Sequence, residues 1–254
     1  MEGGVMRVLM LGGTTEASAL ARALVDHPDI DSMMSLAGRT QSPARPPIPY
    51  RIGGFGGVPG LVQYLAEHQI DAVVDATHPF AEQISRNAAA ACGEAGVPLL
   101  VLTRPAWTPV EGDRWTQVDQ PADAAAALGE EPLTVFLTVG RLTLPAFATA
   151  PQHLYVIRTI DPPEGAEEFL PNHRIILERG PFALGDEMAL MKSESVDVVV
   201  TKNSGGQATS AKLAAARQLG LPVILIERPK KTEGEEAHDV DAALAWISAH
   251  RPAP

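Results

Sequence analysis

The chain has 254 residues, 45% hydrophobic and 20% charged, and its 31 acidic against 20 basic residues leave a net charge of −11. That apolar share supports a packed core and excludes a disordered chain, while the acidic balance excludes a broad nucleic-acid surface, which needs a basic stripe. A single cysteine, Cys92, rules out intrachain disulfides and thiolate-rich zinc sites, and no apolar run reaches the ~20 residues of a membrane span, so a cytoplasmic chain without membrane contact is expected.

Short apolar runs alternate with alanine-rich stretches along the chain. Strands are expected at 8–11, 33–36, 72–75, 99–103, 135–138, 155–159, 175–178, 198–201 and 223–227, because continuous apolarity suits parallel strands covered on both faces. Helices are expected at 16–26, 58–68, 81–95, 122–128, 186–193, 210–219 and 241–249. The alternation predicts an α/β fold with right-handed crossovers. An internal repeat sharpens this. Ile70–Pro105 and Val196–Pro229 both run acidic residue, strand, polar loop, alanine-rich helix, Gly-x-Pro, strand, Arg-Pro. Each copy is followed by a further short helix, at 122–128 and 241–249. The expected architecture is therefore two Rossmann-like domains, 1–131 and 132–254, with mainly parallel sheets facing a shared cleft.

Ligands of open α/β sheets bind beyond the carboxyl ends of the strands, so the loops there carry the chemistry. Gly12-Gly13-Thr14-Thr15-Glu16 lies between the first strand and first helix. Glycines admit a phosphate to the backbone, and the helix start offers N–H groups and a favourable dipole. After the second strand, Arg39 stands where an NAD-dependent chain carries an acid, which favours NADPH. Gly53-Gly54-Phe55-Gly56-Gly57 could approach a ligand closely, with Phe55 against a ring. Thr77 and His78 lie in the loop after the strand at 72–75, and Pro79 restrains the His78 backbone. In the second half, Lys202-Asn203-Ser204-Gly205-Gly206 combines a cation, an amide, a hydroxyl and two glycines before a helix, a set suited to carboxylate or phosphate. Arg179 precedes a similar turn, Gly180-Pro181-Phe182. Asp186 and Glu187 read as acids favoured by a helix start. The seven histidines are scattered without metal-ligand spacing, so no metal is expected.

Taken together, Gly12–Ala17, Gly53–Gly57, Asp75-Ala76-Thr77-His78-Pro79-Phe80-Ala81, Arg104-Pro105-x-Trp107, Gly180-Pro181-Phe182 and Lys202–Gly206 resemble the precorrin-6A reductase family of corrin-ring biosynthesis. The resemblance spans nearly the whole chain in order. It implies an NADPH-dependent oxidoreductase, without flavin or metal, that reduces a macrocycle double bond of precorrin-6A to give precorrin-6B in cobalamin biosynthesis. Under it, Gly12, Gly13, Thr14, Thr15 and Glu16 hold the pyrophosphate side, Arg39 the 2′-phosphate, Gly54 and Phe55 a further cofactor contact, and Thr77 and His78 the nicotinamide ribose. Lys202, Asn203, Ser204, Gly205 and Gly206, with Arg141 and Arg179, hold substrate carboxylates. His78 and Lys202 are the candidate proton donors, solvent or the substrate's own N–H being alternatives. The chain is expected as a monomer or small homo-oligomer. A cobalt-precorrin-6A reductase of the anaerobic route, and an NADPH-binding reductase or sensor of unrelated substrate, are the competing readings. A short-chain dehydrogenase is disfavoured, since none of the three tyrosines has a lysine four residues on.

Overall fold

The computed structural model describes residues 5–38, 45–229 and 234–251. The chain divides into two compact units, Met1–Pro105 with Lys230–Pro254, and Ala106–Pro229.

The first unit holds a six-stranded parallel sheet of order β12-β5-β4-β1-β2-β3. Its strands are β1 (Met6–Leu11), β2 (Ile30–Leu36), β3 (Tyr50–Ile52), β4 (Ala72–Asp75), β5 (Leu99–Leu102) and β12 (Glu235–Ala237). Helices α1 (Thr15–Leu24), α2 (Gly57–Glu67), α3 (Glu82–Ala95) and α8 (Val240–Ala249) complete it. Alternate residues of β1 enter opposite cores. Met6, Val8 and Met10 pack with Leu20 of α1 and Ile247 of α8, whereas Leu9 and Leu11 pack with Leu61 and Leu65 of α2 and Ala88 of α3. Both faces of the sheet are thus covered, which is why its inner strands read as unbroken apolar runs.

The second unit holds β6 (Trp115–Val118), β7 (Thr134–Thr138), β8 (Leu154–Thr159), β9 (His173–Leu177), β10 (Val198–Lys202) and β11 (Val223–Ile226). They form a parallel sheet of order β6-β11-β10-β7-β8-β9. Helices α4 (Pro121–Ala127), α5 (Ala166–Phe169), α6 (Leu184–Ser193) and α7 (Ala211–Leu219), with 3₁₀ turns over Arg141–Thr149, belong to this unit. Phe136, Val156 and Val199 pack with Met191 of α6 and Leu213 of α7.

Each sheet has the doubly wound strand order, reversing between β1 and β4 in the first unit and between β7 and β10 in the second. The sequence repeat is the β4-α3-β5 and β10-α7-β11 pair. Gly96 and Gly220 close α3 and α7 with φ of 67° and 68°, and the proline two residues on prevents the helix from continuing.

The expected boundary at 131/132 is corrected. The chain passes between units just after each Arg-Pro pair, at 105/106 and 229/230. The strand after each repeat copy therefore completes the other sheet: β6 pairs with β11, and β12 with β5. Both strands sit at a sheet edge and are short and partly exposed, so their own pattern does not announce which sheet they join. Composition around 129–132 carries no information about which sheet receives either strand.

Candidate functional site

In the first unit the sheet reverses between β1 and β4, and the loops after these strands are bonded together. The Thr14 hydroxyl donates to the Ala76 carbonyl at 2.7 Å and accepts from the Ala17 N–H at 3.1 Å, which caps α1. The expected hydroxyl donor of Thr14 is thereby committed within the protein. Gly12 lies against β2, where a Cβ would stand 2.8 Å from Met34 Sδ. Gly13 has φ of 130°, and a Cβ there would meet nothing within 4 Å. Backbone is thus exposed at the helix start, where N–H groups lack intrahelical partners.

Thr15 begins α1, and its hydroxyl donates to Glu16 Oε2 at 3.0 Å. Arg104, just beyond β5, places Nη1 2.7 Å from the same oxygen. Burial of Glu16 opposes its charge, but its own backbone N–H, Arg104 and Thr15 together hold the carboxyl below the ordinary carboxylate value. Arg104 thus balances an acid that would otherwise repel an anion at this helix start.

Asp75 ends β4 and is buried; its Oδ1 accepts from the Thr77 N–H at 3.1 Å and from the Thr77 hydroxyl at 2.7 Å. His78 is exposed, and its Nδ1 accepts from the Phe80 N–H at 3.3 Å, which leaves the proton of the neutral ring on Nε2.

The glycine loop after β3 is held by a residue that sequence reasoning missed. Arg51 donates to Ser35 Oγ and the Gly53 carbonyl at 2.9 Å each, and to the Gly54 carbonyl at 3.0 Å. Its guanidinium carbon stands 4.2 Å from the Phe55 ring centroid, and Phe55 meets Tyr64 edge-on at 5.0 Å. Phe55 is therefore half-packed into the α2 side of the core. The signal was available: an arginine just before a run of bare carbonyls. Arg39 lies outside the described residues.

In the second unit the reversal falls between β7 and β10. Arg141 follows β7, at the start of the 3₁₀ turns, and Lys202 ends β10. Asn203, 1% exposed, is committed to internal bonds. Its Oδ1 accepts from the Trp107 N–H at 2.8 Å, while Nδ2 donates to the Trp107 carbonyl at 3.1 Å and to Glu227 Oε2 at 3.2 Å. Trp107 Nε1 donates to the Gly206 carbonyl at 2.9 Å, and Arg228 donates to the carbonyls of Asn203 and Ser204. Trp107 and the Asn203–Gly206 segment thus clamp one another, and Gly205 and Gly206 take left-handed backbone with φ of 65° and 78°. Arg179 is exposed in the turn after β9. Among the described residues, no three His, Cys, Asp or Glu side chains cluster to hold a metal, and no helix is long and apolar enough to cross a membrane.

The chain matches the family model described as precorrin-6x reductase CbiJ/CobK over residues 7–248. It is 48% identical over 248 residues to the precorrin-6A reductase of Rhodobacter capsulatus, covering 98% of each chain. To the cobalt-precorrin-6A reductase of Priestia megaterium it is 32% identical over 233 residues, 88% of this chain and 91% of that one. A solved structure described as CobK precorrin-6A reductase superposes with a TM-score of 0.92 at 48% identity, covering 98% of both chains. On this full-length likeness in sequence and fold, the chain belongs to the precorrin-6x reductase CbiJ/CobK family.

Proposed function

We propose that this chain reduces a ring double bond of precorrin-6A to give precorrin-6B, with NADPH as reductant, in cobalamin biosynthesis. The observation that carries the reading is the nearly full-length identity of 48% with a precorrin-6A reductase, against 32% with a cobalt-precorrin-6A reductase. The metal-free macrocycle is therefore favoured over the cobalt form.

The β1–α1 loop fits a dinucleotide: a Cβ at Gly13 would enter open space, so a phosphate can approach the backbone there. Gly13 and Thr15 would hold the pyrophosphate, with Gly12, Thr14 and Glu16 shaping the loop, Arg39 on the 2′-phosphate and Gly54 and Phe55 beside the cofactor. Thr77 and His78 would lie along the nicotinamide ribose. Bound NADPH supplies the hydride. In the second unit Lys202, Ser204, Gly205 and Gly206, with Arg141 and Arg179, would hold substrate carboxylates as charge-assisted hydrogen bonds, and Asn203 would fix the loop that presents them. His78 Nε2 and Lys202 Nζ are the candidate protein donors of a proton to a ring nitrogen, solvent or the substrate's own N–H being the alternatives; that protonation would make the macrocycle a better hydride acceptor. The same reading has the chain cytoplasmic, a monomer or small homo-oligomer, with no nucleic-acid partner.

Anaerobic initial rates with precorrin-6A and cobalt-precorrin-6A, each with NADPH and NADH, test this. The reading expects the highest kcat/KM for precorrin-6A with NADPH. Preference for the cobalt substrate overturns the choice of macrocycle, and preference for NADH overturns the role of Arg39.

A further inference from the structure

The second unit buries a cation that the proposed reaction does not use. Arg158, on β8, is 7% exposed and lies bidentate on Glu187 of α6, itself 2% exposed. Nη2 meets Oε2 at 3.0 Å, and Nη1 bonds Oε1. The guanidinium carbon stands 3.7 Å from the Phe182 ring centroid and 4.9 Å from that of Phe136. Glu178 Oε2 is 3.8 Å from Nη1.

Desolvation offsets most of what such a pair gains, and apolar side chains of equal volume would serve stability as well or better. The placement has a different consequence. Glu178 and Phe182 are the two ends of the Arg179-Gly180-Pro181 turn, so one guanidinium grips both. The Phe182 N–H donates to the Ala208 carbonyl at 3.3 Å, and a Cβ at Gly180 would stand 3.2 Å from that same oxygen. The turn therefore rests on the segment that continues from Lys202–Gly206.

We infer that Arg158, aligned by Glu187, is a positioning residue that seats the Arg179–Phe182 turn on the loop after β10 and so sets where Arg179 and Lys202 present their charges to substrate carboxylates. The second half of this rests on the proposed precorrin-6A reading. Arg158 touches neither substrate nor cofactor; it acts through the turn.

Two variants test it. Arg158→Lys keeps the charge but loses the planar fork and the stack. The pair Arg158→Met with Glu187→Leu removes both charges together, so no lone buried carboxylate compromises folding. KM and kcat for precorrin-6A, NADPH affinity, and hydrogen exchange at the Phe182 amide are measured on each. Both variants are expected to raise KM for precorrin-6A by roughly 10- to 100-fold, the upper figure being what a 1 Å misplacement can cost, with NADPH affinity unchanged and faster exchange at Phe182. An altered thermal midpoint with unchanged KM overturns the positioning role. A wild-type protein that oxidises no NADPH with precorrin-6A fails the functional reading instead. Exchange at Phe182 then decides whether Arg158 seats the turn, unchanged exchange in both variants refuting it.

Discussion

Thr14 separates a structural hydroxyl from a ligand-binding one, and the structure assigns it the first role. Its oxygen accepts the Ala17 N–H, and its proton goes to the carbonyl of Ala76, a residue with no exposed surface. Thr14→Val keeps the shape and removes both bonds. Losing the cap costs about 0.5–2 kcal/mol. Stranding the Ala76 carbonyl costs about 1–3 kcal/mol more. The sum is roughly 1.5–5 kcal/mol, which lowers the urea midpoint by about 1–2 M at an m-value of ~2–3 kcal/mol/M. Thr14→Ser keeps both bonds and is expected within ~0.5 kcal/mol of wild type. Urea unfolding followed by circular dichroism, paired with NADPH titration by fluorescence, reads both properties. The valine variant is expected to lose stability and NADPH affinity together, and serine to restore both. Lost NADPH affinity with stability intact would refute this reasoning and make the hydroxyl a ligand.

Three further outcomes follow from the same geometry. Gly12→Ala places a Cβ 2.8 Å from Met34 Sδ, so overpacking of about 1–3 kcal/mol is expected; adding Met34→Ala should relieve it, and strictly additive losses in urea unfolding would contradict the contact. Burial depresses the pKa of His153 from its ordinary 6.5, the Gly129 backbone opposing; below that value the unfolded chain takes up a proton the folded one refuses, so stability is full above it and falls as pH drops toward the folded value. His153→Gln should flatten this part of the stability–pH curve, and an unchanged slope counts against it. Lys202→Ala should weaken precorrin-6A binding far more than NADPH binding in separate titrations, equal losses excluding a carboxylate-binding role.

Much of the fold was legible because burial on both faces writes itself as unbroken apolar runs. The nine strands and seven helices read from the sequence differ from the observed ones by three residues or fewer at any end. The three strands that were missed, β3, β6 and β12, are short, lie at sheet edges and carry exposed residues, so their pairing comes from a neighbouring strand rather than from their own pattern. The crossing of strands between sheets was illegible for a related reason: β6 and β12 are edge strands whose short, partly exposed sequences do not specify a partner. In the loops, residue type indicated where chemistry gathers but not which atoms are already spent. Thr14 and Asn203 look like ligand donors in sequence, yet their polar atoms bind Ala76, Ala17, Trp107 and Glu227. Conversely, Arg158 sits inside a strand and gave no motif, although it holds a turn through contacts distant in sequence.

The proposed reaction transfers reducing equivalents from NADPH to precorrin-6A. Purified protein incubated anaerobically with both, followed through NADPH absorbance and the macrocycle spectrum together, tests it most directly. NADPH is expected to be consumed in step with precorrin-6A, one molecule for one, as the spectrum shifts to that of the reduced ring. NADPH that binds but is not oxidised when precorrin-6A is added would contradict it.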